Sequence, residues 1–277
     1  MLNNFFIEEH VKNALNEDIG FGDITTDYLT NEDDRMSCTL NTRVDGILCG
    51  RNVFEMVFKV LSPKIDIKFY FKDGDVIKKG DKIADIEGPA RYILMGERTA
   101  LNYVQRMSGI ATETNKYQKA VGEYKAKIVD TRKTTPGFRA FEKYSVKTGG
   151  GSLHRFNLSD CAMIKDNHIK YAGSLTKAVE KLREHISHAH KIEVECDTIE
   201  QVKEAIACRA DIIMLDNMSV DLMTECVKLI DGKAIVEASG NVNLSTMHDI
   251  ASTGVDIISS SAIVAKAPTL DLGLDCK

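Results

Sequence analysis

No uncharged apolar run in this chain approaches the ~20 residues needed to cross a bilayer. That excludes a spanning helix. An excess of basic residues is also missing: the net charge is −5 and the pI about 5.8, which argues against a general nucleic-acid binder with a broad basic face. The N-terminus, MLNNFFIEEH, has neither a basic segment nor an apolar core, so no secretory signal is expected and the expected location is cytoplasmic. The cysteines, at 38, 49, 161, 196, 208, 226 and 276, are odd in number, scattered, and contain no CxxC pair. They predict reduced thiols rather than disulfides or a structural zinc site. Low-complexity stretches are absent too. What remains is a globular chain of 277 residues, 43% hydrophobic, sized for one large or two ordinary domains.

The chain reads in two styles. Phe5–Glu17 carries apolar residues at helical spacing, and the turn-rich Gly20–Thr26 follows it. Strands are predicted over 36–49 and 65–71, with a short helix over Asn52–Leu61 between them. Residues 71–83, FKDGDVIKKGDKI, resemble the Gly/Asp hairpins of lipoyl- and biotinyl-type folds. They lack the Met–Lys–Met centre of a carrier domain, so a structural hairpin is the better reading. Ala90–Gly122 reads as a long helix with an interruption near Gly109. From 126 onward, short apolar strands alternate with amphipathic helices. The strands are placed at Lys127–Asp130, Ala162–Lys165, Ile192–Cys196, Ile212–Leu215, Ala234–Glu237 and Asp256–Ser259, and the helices at about 171–188, 199–208, 219–230 and 243–253. This alternation predicts right-handed βαβ units, a parallel sheet, and curling toward a barrel.

Residues 130–168 hold seven Lys/Arg against four Asp/Glu in an otherwise acidic chain. Cations gathered on loops suit a small, multiply anionic substrate. A functional side chain also stands at the end of every predicted strand: Arg132 and Lys133, Lys165, Glu195, Asp216 with Asn217, Ser239 with Gly240, and Ser259–Ser261. One strand-end Asp can be a mere helix cap, but in a βα-barrel all these ends converge on the active-site face. Arg forks suit carboxylates and phosphates, and Lys is a mobile point charge. Glu195 and Asp216 suit Mg²⁺, which takes oxygen ligands and shares them with substrate phosphates. The small residues at 239–240 and 259–261 offer amide donors to a phosphate. No nucleophile stands out, and Lys165 fits a carboxylate contact better than a Schiff base.

The residues resemble the quinolinate phosphoribosyltransferase family nearly end to end. The matching blocks are Glu17–Gly20 with Gly22–Thr25, Gly96–Asn102, Ser108–Thr112, Asp130–Gly137, His154–Arg155, Lys165–His168, Glu193–Cys196, Leu215–Asn217 and Glu237–Gly240. The resemblance implies an α/β architecture: an N-terminal α/β sandwich domain over 1–110 and an incomplete βα (TIM-like) barrel over 111–277, whose last residues pack back on the first domain. It implies transfer of a phosphoribosyl group from phosphoribosyl pyrophosphate to quinolinate, releasing pyrophosphate and CO2 and giving nicotinate mononucleotide for NAD biosynthesis. Arg132, His154, Arg155 and Lys165 would hold the quinolinate carboxylates. Lys133, Glu195 and Asp216 would serve the phosphoribosyl pyrophosphate and its Mg²⁺, with Lys133, Glu195 and Asp216 the catalytic groups. Ser239, Gly240, Ser259 and Ser261 would take phosphate. Arg98 would reach in from the partner in a homodimer, or a higher oligomer of dimers, with a shared site.

Two positions depart from the family pattern: Asn241 stands where a second glycine is frequent, and Ser261 where the last strand has a glycine. Ser261 could replace that glycine unless its backbone must adopt positive φ. Two other readings stay open at this point. One is a paralogue with the same scaffold acting on a different anionic ring. The other is a non-catalytic sensor or carrier built on the 71–83 hairpin, which has no use for Glu195 and Asp216 at strand ends.

Overall fold

Every third or fourth residue of the opening helix is apolar, and the structure buries that stripe. The computed structural model describes residues 2–276. Its first elements are α1 (Asn4–Ile19), α2 (Thr26–Leu29), β1 (Arg35–Thr42), β2 (Gly46–Ile47), α3 (Arg51–Leu61), β3 (Asp66–Phe69), β4 (Val76–Ile77), β5 (Lys82–Pro89) and α4 (Ala90–Ala120). Then come β6 (Lys127–Val129), α5 (Arg139–Thr148), β7 (Ala162–Ile164), α6 (Asp166–Ala172), α7 (Leu175–Arg183), β8 (Ile192–Cys196), α8 (Ile199–Ala207) and β9 (Ile212–Asp216). The chain finishes with α9 (Val220–Ile230), β10 (Ile235–Ser239), α10 (Met247–Ser252), β11 (Ile257–Ser259), α11 (Ala262–Ala265) and β12 (Leu272–Cys276). No helix among the described residues is long and apolar enough to cross a membrane.

Two compact units result. The first comprises the chain through Asn115, Pro136–Gly150, and Ala267 onward; the second comprises Lys116–Thr135 and Gly151–Lys266. In this division α5 belongs with the first unit, as does β12, whose return to that unit was expected. α5 joins it through Phe141, which is fully buried and whose ring lies 4.7 Å from His10, 5.4 Å from Phe6 and 5.5 Å from Tyr103.

In the first unit an antiparallel sheet of order β12-β1-β5-β3 carries α1 and α3. Ile7, Val11 and Leu15 are the buried stripe of α1, and Asn3 caps that helix by accepting from the Phe5 amide. The 71–83 segment is structural. β4 pairs with β2, and the aspartates close its turns: Asp75 accepts from the Lys72 amide and Asp81 from the Lys78 amide. Asp73 accepts the Gly50 and Arg51 amides at the start of α3. α4 runs unbroken through Gly109, against the expected interruption. Gly109 is there for closeness rather than flexibility, since an added Cβ would sit 1.9 Å from the Pro268 carbonyl oxygen.

The expectation of reduced cysteines is also corrected. β12 returns antiparallel beside β1 with Cys38 opposite Cys276, and the two form a disulfide across 238 residues of sequence. The other five cysteines are free. Nothing local marked this pair, because only the return of the C-terminal strand brings it together.

The second unit is a six-stranded parallel sheet of order β6-β11-β10-β9-β8-β7 with helices between successive strands. Val194, Ile213, Leu215, Val236, Ala238 and Ile258 are buried on one parity of these strands. The other parity (Glu193, Glu195, Met214, Glu237, Ser239, Ser259) faces the opposite side and lines hollows there. Residues following β6 and residues of β7, the two edges of the sheet, border the same cleft. The sheet is therefore rolled into an incomplete barrel. The single helix expected at 171–188 is two, α6 and α7, divided where Gly173 takes φ 90 and Ser174 caps α7 by accepting from the Lys177 amide.

Candidate active site

The C-terminal ends of the barrel strands enclose a cleft of about 390 Å³. Arg132 and Lys133 reach it from the loop after β6, Arg155 from the Gly-rich loop, and Lys165 from the end of β7. Across from them stand Glu195 on β8 and Asp216 on β9, with Ser239 and Ser259 from β10 and β11. Met163 and Met214 give it polarizable apolar surface. A wider hollow of about 940 Å³ adjoins this cleft beside α6 and α7 and shares Arg132, Arg155, Met163 and Lys165.

Each side chain has a local reason for its position. Lys165 is the N-cap residue of α6, and its amide donates to His168 Nδ1 at 2.9 Å, so His168 acts as a cap. The Lys165 ammonium forms an ion pair with Glu195; in this state two residues expected to serve different substrates neutralise one another. Arg155 Nη1 donates to the Cys161 carbonyl at 2.8 Å, and Nη2 approaches the Met163 sulfur at 3.5 Å. Asp216 accepts from Asn217 Nδ2 at 2.7 Å. Asn217 itself adopts φ 53, a left-handed conformation that Asn tolerates. Gly240 makes room for it, since a Cβ there would lie 2.2 Å from Asn217 Oδ1.

The structure therefore gathers nearly all the residues singled out from sequence: Arg132, Lys133, His154, Arg155, Lys165, Glu195, Asp216, Ser239 and Ser259 line one cleft. Three do not line it. Arg98 is exposed on α4 of the first unit. Gly240 is used for close packing against Asn217. Ser261 is the N-cap of α11 with φ −74, so the position where a glycine was expected makes no positive-φ demand.

Beneath the cleft lies a layer that sequence reading passed over. Glu193 and Glu237 are 0% and 1% exposed. His154 Nε2 is 3.4 Å from an oxygen of each. The His154 amide donates to Asp130 Oδ1 at 2.8 Å, and its Nδ1 accepts from the Arg155 amide at 2.7 Å. Burial depresses the imidazole's proton affinity, but bonds to Glu193 and then Glu237 more than offset it and bring the pKa up to about 10. Burial pushes the Glu193 carboxyl up as well. A full imidazolium would aim an Nδ1 proton at the Arg155 amide. The retained proton therefore belongs to the cluster of His154, Glu193 and Glu237 rather than to the imidazole alone. A signal was available: Glu193 and Glu195, like Glu237 and Ser239, are two apart on one strand and so share a face.

Both halves of the chain match family models for quinolinate phosphoribosyl transferase, the N-terminal domain over residues 23–108 and the C-terminal domain over 110–275. A probable nicotinate-nucleotide pyrophosphorylase [carboxylating] of Synechocystis is 43% identical, over 97% of this chain and 92% of its own. The Bacillus subtilis protein of the same description is 41% identical, over 99% and 92%. Among solved structures, the nicotinate-nucleotide pyrophosphorylase from Francisella tularensis superposes with a TM-score of 0.96 at 40% identity, covering 100% of this chain and 98% of that one. With both domains matched and identity sustained over nearly the whole length, the chain belongs to the quinolinate phosphoribosyltransferase family.

Proposed function

We propose that this protein transfers the phosphoribosyl group of phosphoribosyl pyrophosphate to quinolinate and releases CO2, giving nicotinate mononucleotide and pyrophosphate. The observation that carries this reading is one cleft with cations on its β6–β7 side and carboxylates on β8 and β9. The guanidinium groups of Arg132 and Arg155 suit the two adjacent carboxylates of the ring. Met163 and Met214 offer a soft surface for its faces. Lys133 faces the phosphoribosyl pyrophosphate, and Ser239 and Ser259 its phosphates. Lys165 exchanges its pairing with Glu195 for a substrate carboxylate, which frees Glu195.

The chemistry asks for positioning and charge stabilisation. The ring nitrogen's lone pair forms the bond to the anomeric carbon as the bond from that carbon to the pyrophosphate oxygen breaks. Glu195 and Asp216 stabilise the positive character at the sugar, and Lys133 takes up charge on the leaving group. The carbon–carbon bond to the 2-carboxylate then breaks and CO2 leaves. The electron pair stays on the ring carbon beside the cationic nitrogen until a proton from water replaces it. Glu195 and Asp216, on adjacent strands with one oxygen each engaged by Lys165 and Asn217, fit Mg²⁺ by donor type. When bound, the ion would neutralise charge on the diphosphate.

A homodimer sharing its sites suits two features of the first unit: the exposed Arg98 on α4, and the exposed apolar side chains of Phe21, Ile24, Tyr28 and Leu29. Recovery of activity on mixing Arg98→Ala with Arg132→Ala protein is the expected sign, and no complementation would refute a shared site. The reaction itself is tested by incubating the protein with quinolinate, phosphoribosyl pyrophosphate and Mg²⁺ and following nicotinate mononucleotide. Failure to form it refutes the assignment and favours a paralogue acting on another anionic ring.

A further inference from the structure

Two hollows share one wall inside the barrel unit. The cleft of about 390 Å³ occupies the C-terminal ends of the strands, at Glu195, Met214, Ser239 and Ser259. A second hollow, of about 410 Å³, lies at their starts, lined by Cys161, Lys191, Ile212 and Ile257. On β8, β9 and β11 the two sets are two or four positions apart, so they stand on the same inward face. Glu237 borders both hollows. It is level with Met214 of the cleft on one neighbouring strand and with Ile257 of the lower hollow on the other, so its carboxyl stands at the boundary.

That carboxyl is buried but incompletely served. Glu237 is 1% exposed, and its Oε1 forms no well-aligned hydrogen bond with any described residue. The same is true of both oxygens of Glu193, which lies beside it in the same layer. Leaving buried carboxylate oxygens bare is costly. The lower hollow has room for several water molecules, and polar groups in its wall to hold them. Its mouth opens to solvent, since Asp160, Ala189 and Lys191 are exposed there.

The reaction read from the cleft leaves an electron pair on the ring carbon that loses CO2, and that carbon needs one proton. With both substrates seated, the mouth of the cleft is filled and its lysines face anionic groups. We propose, resting on the quinolinate reading, that Glu237 donates this proton and recovers it from water in the lower hollow. The carbon–carbon bond breaks, CO2 departs, and the electron pair on the ring takes the proton as the Glu237 O–H bond breaks. The carboxylate left behind is reprotonated from solvent through the water below it. Each turnover thus draws one proton from bulk and involves no oxidant or reductant. Glu193 favours an uncharged Glu237, because two like charges around one histidine repel. His154 and Arg155 keep their places in the cleft wall.

Three measurements test the route. In Glu237→Gln, kcat for nicotinate mononucleotide is expected to fall about a hundredfold while both KM values stay within about twofold. The solvent deuterium isotope effect on kcat should exceed that of the unaltered protein. An unchanged kcat, or a loss confined to KM, would overturn the donor role. Ile212→Trp fills the lower hollow from below without touching the cleft, and should lower kcat about tenfold at unchanged KM. Full activity in that variant, with its circular dichroism unaltered, would overturn the supply route. The third measurement needs no substrate: a high-resolution crystal structure of the ligand-free protein should show ordered water on Glu237 Oε1 within the lower hollow. A dry hollow there would overturn the proposal whatever the cleft binds. No nicotinate mononucleotide from the unaltered protein would instead sink the quinolinate reading, and the donor role with it.

Discussion

The two compact units both bury charged groups but neutralise them differently. The first hides mainly hydrocarbon and rings, with Phe54, Phe58 and Phe141 fully buried and Phe138 stacked on Phe141 at 4.8 Å between centroids, and it buries Glu142 and Lys143 beside them. The second hides Glu193 and Glu237 under a histidine. Burying a carboxylate costs several kcal/mol unless a partner offsets it; Glu142 in the first unit has the Arg106 guanidinium at 3.0 Å, whereas Glu193 and Glu237 share one histidine. The barrel unit tolerates the cost because the layer above must fix cations in a defined geometry. The difference teaches that two buried acids sharing one histidine, rather than buried charge as such, mark the working site in this chain.

That contrast can be broken by substitution. The largest effect is expected for Phe141→Ala, about 4 kcal/mol of stability lost through the cavity left among four neighbouring rings. Urea unfolding checks the loss, and KM for either substrate should stay put. A KM shift would show that this packing also reaches the site.

His154→Ala should cost about 3 kcal/mol at neutral pH, because two acids lose their shared partner. Its pH dependence has a definite sign. Burial raises the Glu193 pKa above 4.5, while the bond from His154 lowers it. Without that bond, the folded-state pKa climbs further. The variant should therefore come nearest to the unaltered protein below pH 4.5 and lose ground as pH rises toward the new value. Urea midpoints across the acid-to-neutral range test this, and a pH-independent loss would remove the buried acids from the account.

Asp216→Ala sharpens the comparison from the rim of the cleft. Activity should fall about a hundredfold, near 2.7 kcal/mol in the barrier, while stability moves by less than about 0.5 kcal/mol. A stability loss as large as that of His154→Ala would erase the distinction between rim and interior.

Much of the barrel was legible beforehand. The βα alternation is local, the strands end in reactive residues, and Arg132, Lys165, Glu195 and Asp216 do meet. The interior acids were hidden by emphasis on strand ends, although alternation from Glu195 back to Glu193 would have exposed them. Gly109 was misread because sequence shows a missing side chain but not the Pro268 carbonyl that needs its place. Arg98 shows a different limit: its expected role lies on another copy of the chain.

By itself the sequence determined the barrel's alternation of strands and helices and the chemical inventory of the cleft, since these depend on spacing along a local stretch. Tertiary structure alone decided that Cys38 meets Cys276, that α5 belongs to the first unit, and that Glu193 and Glu237 each stand 3.4 Å from His154 Nε2. Those facts depend on which distant segments share an interior. Contacts of that kind are set by packing and burial across the whole fold, and no periodicity within a segment records them.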